Sequence, residues 1–300
     1  MRRLLSGILV MLLLLGILSG CGAEEVSGEF SANQSAENNV NTPAEVDVVE
    51  TKPEEITLEE VVVYEDGGVK VTATGIEEGW TGTEVKFLVE NTTDKNIVLS
   101  GDYAVINGVT IPVSLYIDVA AGKKTIDTMT IYATHLDTAG IEKIATINVK
   151  DARIVDTDSY MKLTDAPFEI VTSVGADYVQ EIDESGEVVF EGNGVRIIRK
   201  VVTNGIFGEE VLLLIKNDSG QDVTVEAENI SVNGFTIDGW MYDIVYADTV
   251  RFCALDLYST SLEENEITEV EEVSFTINLI DPHSYGRVAQ SDEIKIVVKE

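Results

Sequence analysis

Three observations predict an all-β fold for this chain. Apolar and polar residues alternate with a period of two over much of its length, turn dipeptides separate the alternating runs, and the whole pattern occurs twice. The duplication is the strongest of the three: position n answers position n+126 with almost no gaps. Tyr64-Glu65-Asp66-Gly67-Gly68-Val69 matches Phe190-Glu191-Gly192-Asn193-Gly194-Val195, and Gly82-Thr83-Glu84-Val85 matches Gly208-Glu209-Glu210-Val211. Ile106-Asn107-Gly108 matches Val232-Asn233-Gly234, while Tyr132, Leu136, Ile141 and Ile154 find Tyr258, Leu262, Ile267 and Ile280.

Taken in order, the chain opens with Met1-Arg2-Arg3, an apolar run from Leu4 to Leu18, and Ser19-Gly20-Cys21. Positive charge, a short hydrophobic segment and small residues directly before a cysteine form the layout of a lipoprotein signal. Residues 1–20 are the expected signal peptide, with diacylglycerol carried on the Cys21 thiol. A retained transmembrane anchor fits less well. Spanning a bilayer takes about 20 apolar residues, and this run is shorter, interrupted by Ser6, Gly7 and Gly16, and followed by Glu24-Glu25 rather than a basic flank.

Residues 21–59 are rich in Glu, Ser, Asn, Thr and Ala, with Pro43 and Pro53 and hardly an aromatic. Such a segment cannot bury enough apolar surface to order itself, so a disordered, acidic stalk is expected. A coil of about 38 residues reaches about 35 Å, enough to lift the folded part of the chain off the bilayer.

The two copies occupy residues 60–173 and 187–300, with Gly, Asp, Glu and Ser clustering between them. Val69, Val71 and Ala73 alternate with Lys70, Thr72 and Thr74, and Phe275, Ile277 and Leu279 alternate with Ser274, Thr276 and Asn278. That is the pattern of strands with one wet face. Val211–Ile215 is apolar on both parities and predicts a central strand covered on both sides. Asn107-Gly108 and Asn233-Gly234 suit the positive φ of a two-residue hairpin turn. One helical turn is expected per copy, at Thr260-x-x-Glu263 with the spacing of a capping box and at its weaker equivalent Thr134-x-x-Asp137. Leu136, Ile141 and Ile144 should then face inward. About eight short strands per copy predict two tandem β-sandwiches of immunoglobulin type.

Charge narrows the range of partners. The chain holds 54 acidic and 20 basic residues, a formal net charge of −34. Nucleic-acid binding requires clustered Lys and Arg on phosphates, and no such cluster exists here. The acidity reads first as a solvated, soluble surface. Cys253 is the lone cysteine after Cys21, so no internal disulfide framework is expected. It shares a parity with Leu255 and Leu257 and reads as a small buried hydrophobe.

The search for chemistry yields little. His135 and His283 are the only histidines. They are not repeat equivalents and have no neighbouring ligand set, so surface positions are expected and no zinc constellation forms. Asp151, Asp156 and Asp158 have the right oxygens for calcium but lack an EF-hand spacing, and the second copy carries Pro282 and Ser284 there. No Gly-x-Ser-x-Gly motif occurs, and acids that match weakly between copies do not suggest a glycosidase pair. Neither an enzyme nor a cofactor is expected. Four apolar residues are left unexplained by strand alternation: Trp80 in Gly79-Trp80-Thr81-Gly82, Ile206 and Phe207 in Gly205-Ile206-Phe207-Gly208, and Trp240 in Gly239-Trp240-Met241-Tyr242. They either fold back to plug the sandwich ends and the joint between copies, or stay exposed as contact residues.

The lipoprotein cysteine, the acidic low-complexity stalk, and domains carrying Glu-Asn, Val/Ile-Asn-Gly and Leu-x-x-x-x-Ile together resemble cell-surface lipoproteins of Gram-positive bacteria with duplicated immunoglobulin-like domains. The resemblance implies an extracytoplasmic, non-enzymatic protein anchored to the cell membrane by lipid, and it carries over no site residues. Two functions emerge as expectations. The first is a binding or interaction module whose partner is an unidentified protein or envelope component. The second is a structural or accessory subunit of a membrane or cell-envelope complex. Cys21→Ala should abolish labelling by a fatty-acid analogue and leave the precursor uncleaved or released to the medium; labelling that persists in the variant would remove the lipid anchor.

Overall fold

A computed structural model describes residues 55–298. The signal peptide, Cys21 and most of the stalk expected from the sequence lie outside the described residues. The described chain is all-β with two short helices, within one compact unit, Pro53–Glu300.

The first half contains β1 (Val61–Asp66), β2 (Val69–Glu78), β3 (Gly82–Asn91), β4 (Ile97–Ile106), β5 (Val109–Val119), β6 (Lys124–Tyr132), α1 (Ala133–Thr138), β7 (Thr146–Val149), β8 (Arg153–Asp156), β9 (Met161–Asp165) and β10 (Phe168–Val171). The second contains β11 (Glu187–Gly192), β12 (Val195–Asn204), β13 (Gly208–Asn217), β14 (Val223–Val232), β15 (Phe235–Thr236), β16 (Gly239–Trp240), β17 (Tyr242–Val245), β18 (Thr249–Tyr258), α2 (Ser259–Glu264), β19 (Glu272–Ile280), β20 (Arg287–Gln290) and β21 (Ile294–Val297).

Each half has two layers. One layer runs β1-β2-β3-β6, answered by β11-β12-β13-β18, and the other is built on β4, answered by β14. Pairing recurs in register: Gly82 lies opposite Tyr132 and Gly208 opposite Tyr258. The ladder even slips at the same place, after Ala73 in β2 and after Arg199 in β12. The alternation read from the sequence fills the space between layers, with Val71, Phe87, Leu99 and Ile117 in one core and Ile197, Leu213, Val225 and Phe275 in the other.

The halves differ at β5. In the first, β5 pairs with β4 along its length and with β6 at Val113–Leu115, so one strand belongs to both layers and joins them. In the second, the corresponding stretch is broken. β15 and β17 stay on β14, and only Gly239-Trp240 reaches β18. Asp238-Gly239 stands where the first half has Pro112-Val113, and glycine weakens a strand while permitting close approach. A Cβ at Gly239 would sit 2.5 Å from the Asp256 carbonyl oxygen.

Two asparagines per half set the loops. The Asn91 side chain, at the end of β3, donates to the carbonyls of Lys95, Val119 and Ala120, and its Oδ1 accepts from the Thr93 amide and hydroxyl. Asn217 repeats every bond on Gln221, Val245, Tyr246 and Ser219. Both are buried. Asn107 and Asn233 adopt the expected positive φ, 50° and 52°. They also clasp the strand that follows the helix: Asn107 Oδ1 accepts from the Ala145 and Thr146 amides, and Asn233 Oδ1 from Glu271 and Glu272.

The capping boxes do not form. Helices α1 and α2 start directly from Tyr132 and Tyr258 without a side-chain cap, and Thr134 and Thr260 lie inside them. The first amides find backbone instead: Ala133 N donates to Thr81 O and Ser259 N to Phe207 O. A strand that turns straight into a helix beside the β2–β3 hairpin has its acceptor supplied by that hairpin. Leu136, Ile141 and Ile144 face inward as expected.

The halves dock through the outer face of β12, β13 and β18. Ile198, Leu214 and Val250 pack with the core of the first half, which explains why Val211–Ile215 is apolar on both parities. Val109 and Val250 form a single parallel pairing, and the Thr110 and Thr249 hydroxyls meet at 2.8 Å. Arg251 is buried there, bonded to Asp243 and the Ile244 carbonyl, with Tyr103 of the first half against its guanidinium at 4.7 Å.

The asparagine clasps give a quantitative expectation. Asn91→Ala and Asn217→Ala each leave buried carbonyls unpaired, so each should cost about 2–3 kcal/mol in urea unfolding. Asn→Ala losses below about 0.5 kcal/mol would show that water replaces the amides.

Candidate binding groove

The side of β4 that faces away from the core is not flat. Val98 and Ser100 are buried yet belong to neither core, because they form the floor of an open groove of about 500 Å³. Cross-strand pairing builds it in rows. Ser100 lies between Tyr116 of β5 and Arg153 of β8, and Val98 lies between Asp118 and Val155. Tyr132, from the end of β6, and Tyr160, from the β8–β9 turn, complete the walls. Arg153 is held by Asp102 at 2.9 Å, and Asp151 accepts the Asp102 amide at 3.0 Å. Arg153 and Asp102 thus compensate each other, while Asp118 adds a further acid to the lining.

Tyr160 is the residue with the most unusual backbone here. Its φ is 56°, a left-handed conformation that is rare for a bulky side chain and costs about 1–2 kcal/mol. It is 86 % exposed. The turn is fixed by Asp156, whose Oδ1 accepts the Asp158 and Ser159 amides and whose Oδ2 accepts Lys95 Nζ at 3.1 Å. The Lys95 bond holds the Asp156 carboxyl below the usual carboxylate range. Asp156 therefore shapes a turn, and the calcium option read from Asp151, Asp156 and Asp158 loses its central ligand to these bonds. Among the described residues no group of three or more His, Cys, Asp or Glu side chains is placed to hold a metal ion.

The second half keeps the tyrosines but changes the residues between them. Tyr242 answers Tyr116 and Tyr258 answers Tyr132 at the spacing of 126, while Tyr285 answers Tyr160 one residue earlier. Tyr285 is again exposed, again at φ 56°, in a turn whose Asp281 Oδ1 accepts the His283 and Ser284 amides. Asp156-Thr157-Asp158-Ser159-Tyr160 and Asp281-Pro282-His283-Ser284-Tyr285 are one Asp-x-x-Ser-Tyr motif, hidden from a comparison at a fixed spacing by the one-residue slip. The row Tyr116–Ser100–Arg153 becomes Tyr242–Glu226–Asn278, in which Asn278 is fully buried and donates to Glu226.

The four apolar residues singled out in the sequence do not gather in the groove. Trp80 is 99 % exposed and Ile206 94 % exposed, so neither plugs a sandwich end. Each occupies the first position of a tight hairpin closed by Gly79 N to Gly82 O or Gly205 N to Gly208 O, which turns side chains out to solvent. Phe207 is 59 % exposed with its ring edge-on to Tyr258 at 6.2 Å, and Trp240 is 56 % exposed beside Tyr242 at 6.0 Å. For Trp80 and Ile206 the plug reading fails, because a hairpin tip turns its side chain to solvent whatever its hydrophobicity.

The remaining reactive groups have structural surroundings. Cys253 is buried between Leu255 and the Arg251–Asp243 pair, and burial pushes its thiol well above the usual range. Such a thiol is inert in the folded state. His135 and His283 are exposed. Glu210 and Asp256 lie opposite each other on β13 and β18. Burial and then Asp256 raise the Glu210 carboxyl, while burial and then Asp243 raise Asp256. No His, Cys or Ser nucleophile accompanies them on those strand rows.

No family model and no curated protein matches the chain. Among solved structures, it is similar to the conserved domain protein from Bacillus anthracis, at 13 % identity over 80 % of this chain and 92 % of that one, with a TM-score of 0.23. So low a score carries neither fold nor function across.

Because Trp80 and Ile206 have almost no neighbours to lose, Trp80→Ala and Ile206→Ala should change unfolding free energy by less than about 0.5 kcal/mol. A drop of several kcal/mol in chemical denaturation would restore them as plugs.

Proposed function

We propose that this protein is a non-enzymatic binding module, displayed outside the cell on a lipid carried by Cys21. The observation behind this reading is the retention in both halves of three tyrosine positions that belong to neither core. A core needs apolar residues at fixed places, but a solvated surface does not need an aromatic at 116 and 242, 132 and 258, or 160 and 285. One of these pairs, 160 and 285, also keeps a strained backbone, and strain that is maintained rather than relaxed to glycine or asparagine is a mark of function. The expected signal peptide and stalk agree with display on a membrane, and the docked, two-layered halves agree with a rigid, immunoglobulin-like presenter of surface residues.

The accessory-subunit reading draws on a different feature, the fully exposed Trp80 and Ile206 tips, which suit contact with another protein. The two readings separate in one assay. Phosphatidylcholine vesicles carrying the lipidated chain should co-sediment with isolated cell walls, saturably, at a speed that leaves bare vesicles in the supernatant. Absence of co-sedimentation would overturn the binding-module reading in favour of the accessory subunit.

A further inference from the structure

We infer that the groove between β5, β4 and β8 of the first half binds a neutral saccharide of the cell envelope, an inference that rests on the binding-module reading and names its ligand. A groove of about 500 Å³ is within the 300–1,000 Å³ of ordinary ligand sites, and it is open to solvent, so a ligand longer than the groove can extend beyond it. Its walls are the rings of Tyr116, Tyr132 and Tyr160. A pyranose ring offers a face of C–H groups and a rim of hydroxyls. It therefore satisfies flat aromatic walls through its faces and polar floor groups through its rim, where an aliphatic ligand would satisfy only the first.

The polar groups point the same way. The Ser100 hydroxyl lies on the floor, with Arg153 and Asp102 beside it, one donor set and one acceptor set. Arg153 is already paired with Asp102 at 2.9 Å, so an anionic ligand finds no free cation there. The net charge of −34 also repels anionic polymers such as phosphate-rich wall chains. A cationic ligand would meet Asp118 as well as Asp102, and loss of binding in salt tells it apart. The paired Arg153, hydroxyl chemistry and aromatic faces together favour a neutral polyol.

Tyr160 sharpens the inference. Asn tolerates left-handed φ better than tyrosine, so Tyr160→Asn removes strain and a ring together. A tyrosine serving only the turn would gain stability from that change and nothing else. A tyrosine that stacks on the ligand would gain stability and lose binding. Tyr116→Ala tests the opposite wall on an exposed strand position, where folding does not depend on the side chain.

The experiment uses the same vesicles carrying the lipidated full chain, now with walls boiled in detergent and digested with protease so that protein and lipid are gone. Binding is expected to survive that treatment, to persist in 0.5 M NaCl within about twofold, because neutral ligands escape screening, and to weaken at least about tenfold in Tyr116→Ala and in Tyr160→Asn. Binding to untreated walls that vanishes after stripping would overturn the saccharide and leave the binding module standing with a protein or lipid partner. Loss in salt would replace the neutral ligand by a charged one. Unchanged binding in both variants would move the site away from the groove.

Discussion

The geometry of this protein depends on one side-chain amide per half. Asn91 and Asn217 each tie the turn after β3 or β13 to the end of β5 or β17. The asparagine thereby fixes the relative position of those strands, and hence which residues stand opposite one another. In the first half the strand so held, β5, carries Tyr116, which stands in one row with Ser100 and Arg153. A one-residue slip would send every side chain of the strand to the other face. Buried amides with all their partners satisfied specify a unique pairing in a way that apolar contacts do not.

The two halves share a strand plan and depart from it at one strand. In the first half an unbroken β5 joins both layers and its outward side chains wall a groove. In the second, Asp238-Gly239 interrupts that strand, Trp240 is carried onto β18, and Asn278 fills the place that Arg153 occupies in the first half. The turn motifs and the tyrosines recur in both halves, while the row beside them differs, Ser100–Arg153 in the first half and Glu226–Asn278 in the second.

Docking of the halves is itself specific. An apolar contact alone would let one half slide on the other, whereas the buried Arg251 is held at one place by Asp243, the Ile244 carbonyl and the Tyr103 ring. A buried ion pair contributes little net stability against an apolar replacement but strongly penalises misalignment. The joint therefore holds the groove of the first half at a defined place relative to the exposed aromatic residues of the second.

The all-β class, the Asn-Gly turns, the burial of Cys253 and the two-sided strand at Val211–Ile215 were all legible in the sequence, because each depends on local φ preference or on a periodicity of apolar residues. The direction of Trp80 and Ile206 was not, since a hairpin tip turns its side chains outward whatever their hydrophobicity. Nor was the replacement of the Thr134 and Thr260 caps by the carbonyls of Thr81 and Phe207, which arrive from a distant hairpin. The tyrosine at 160 had a readable signal in Asp-x-x-Ser-Tyr, masked by a one-residue slip. The groove itself was set only by tertiary structure. Tyr116, Ser100 and Arg153 are far apart along the chain, and only hydrogen-bonded register across three strands brings them into one row.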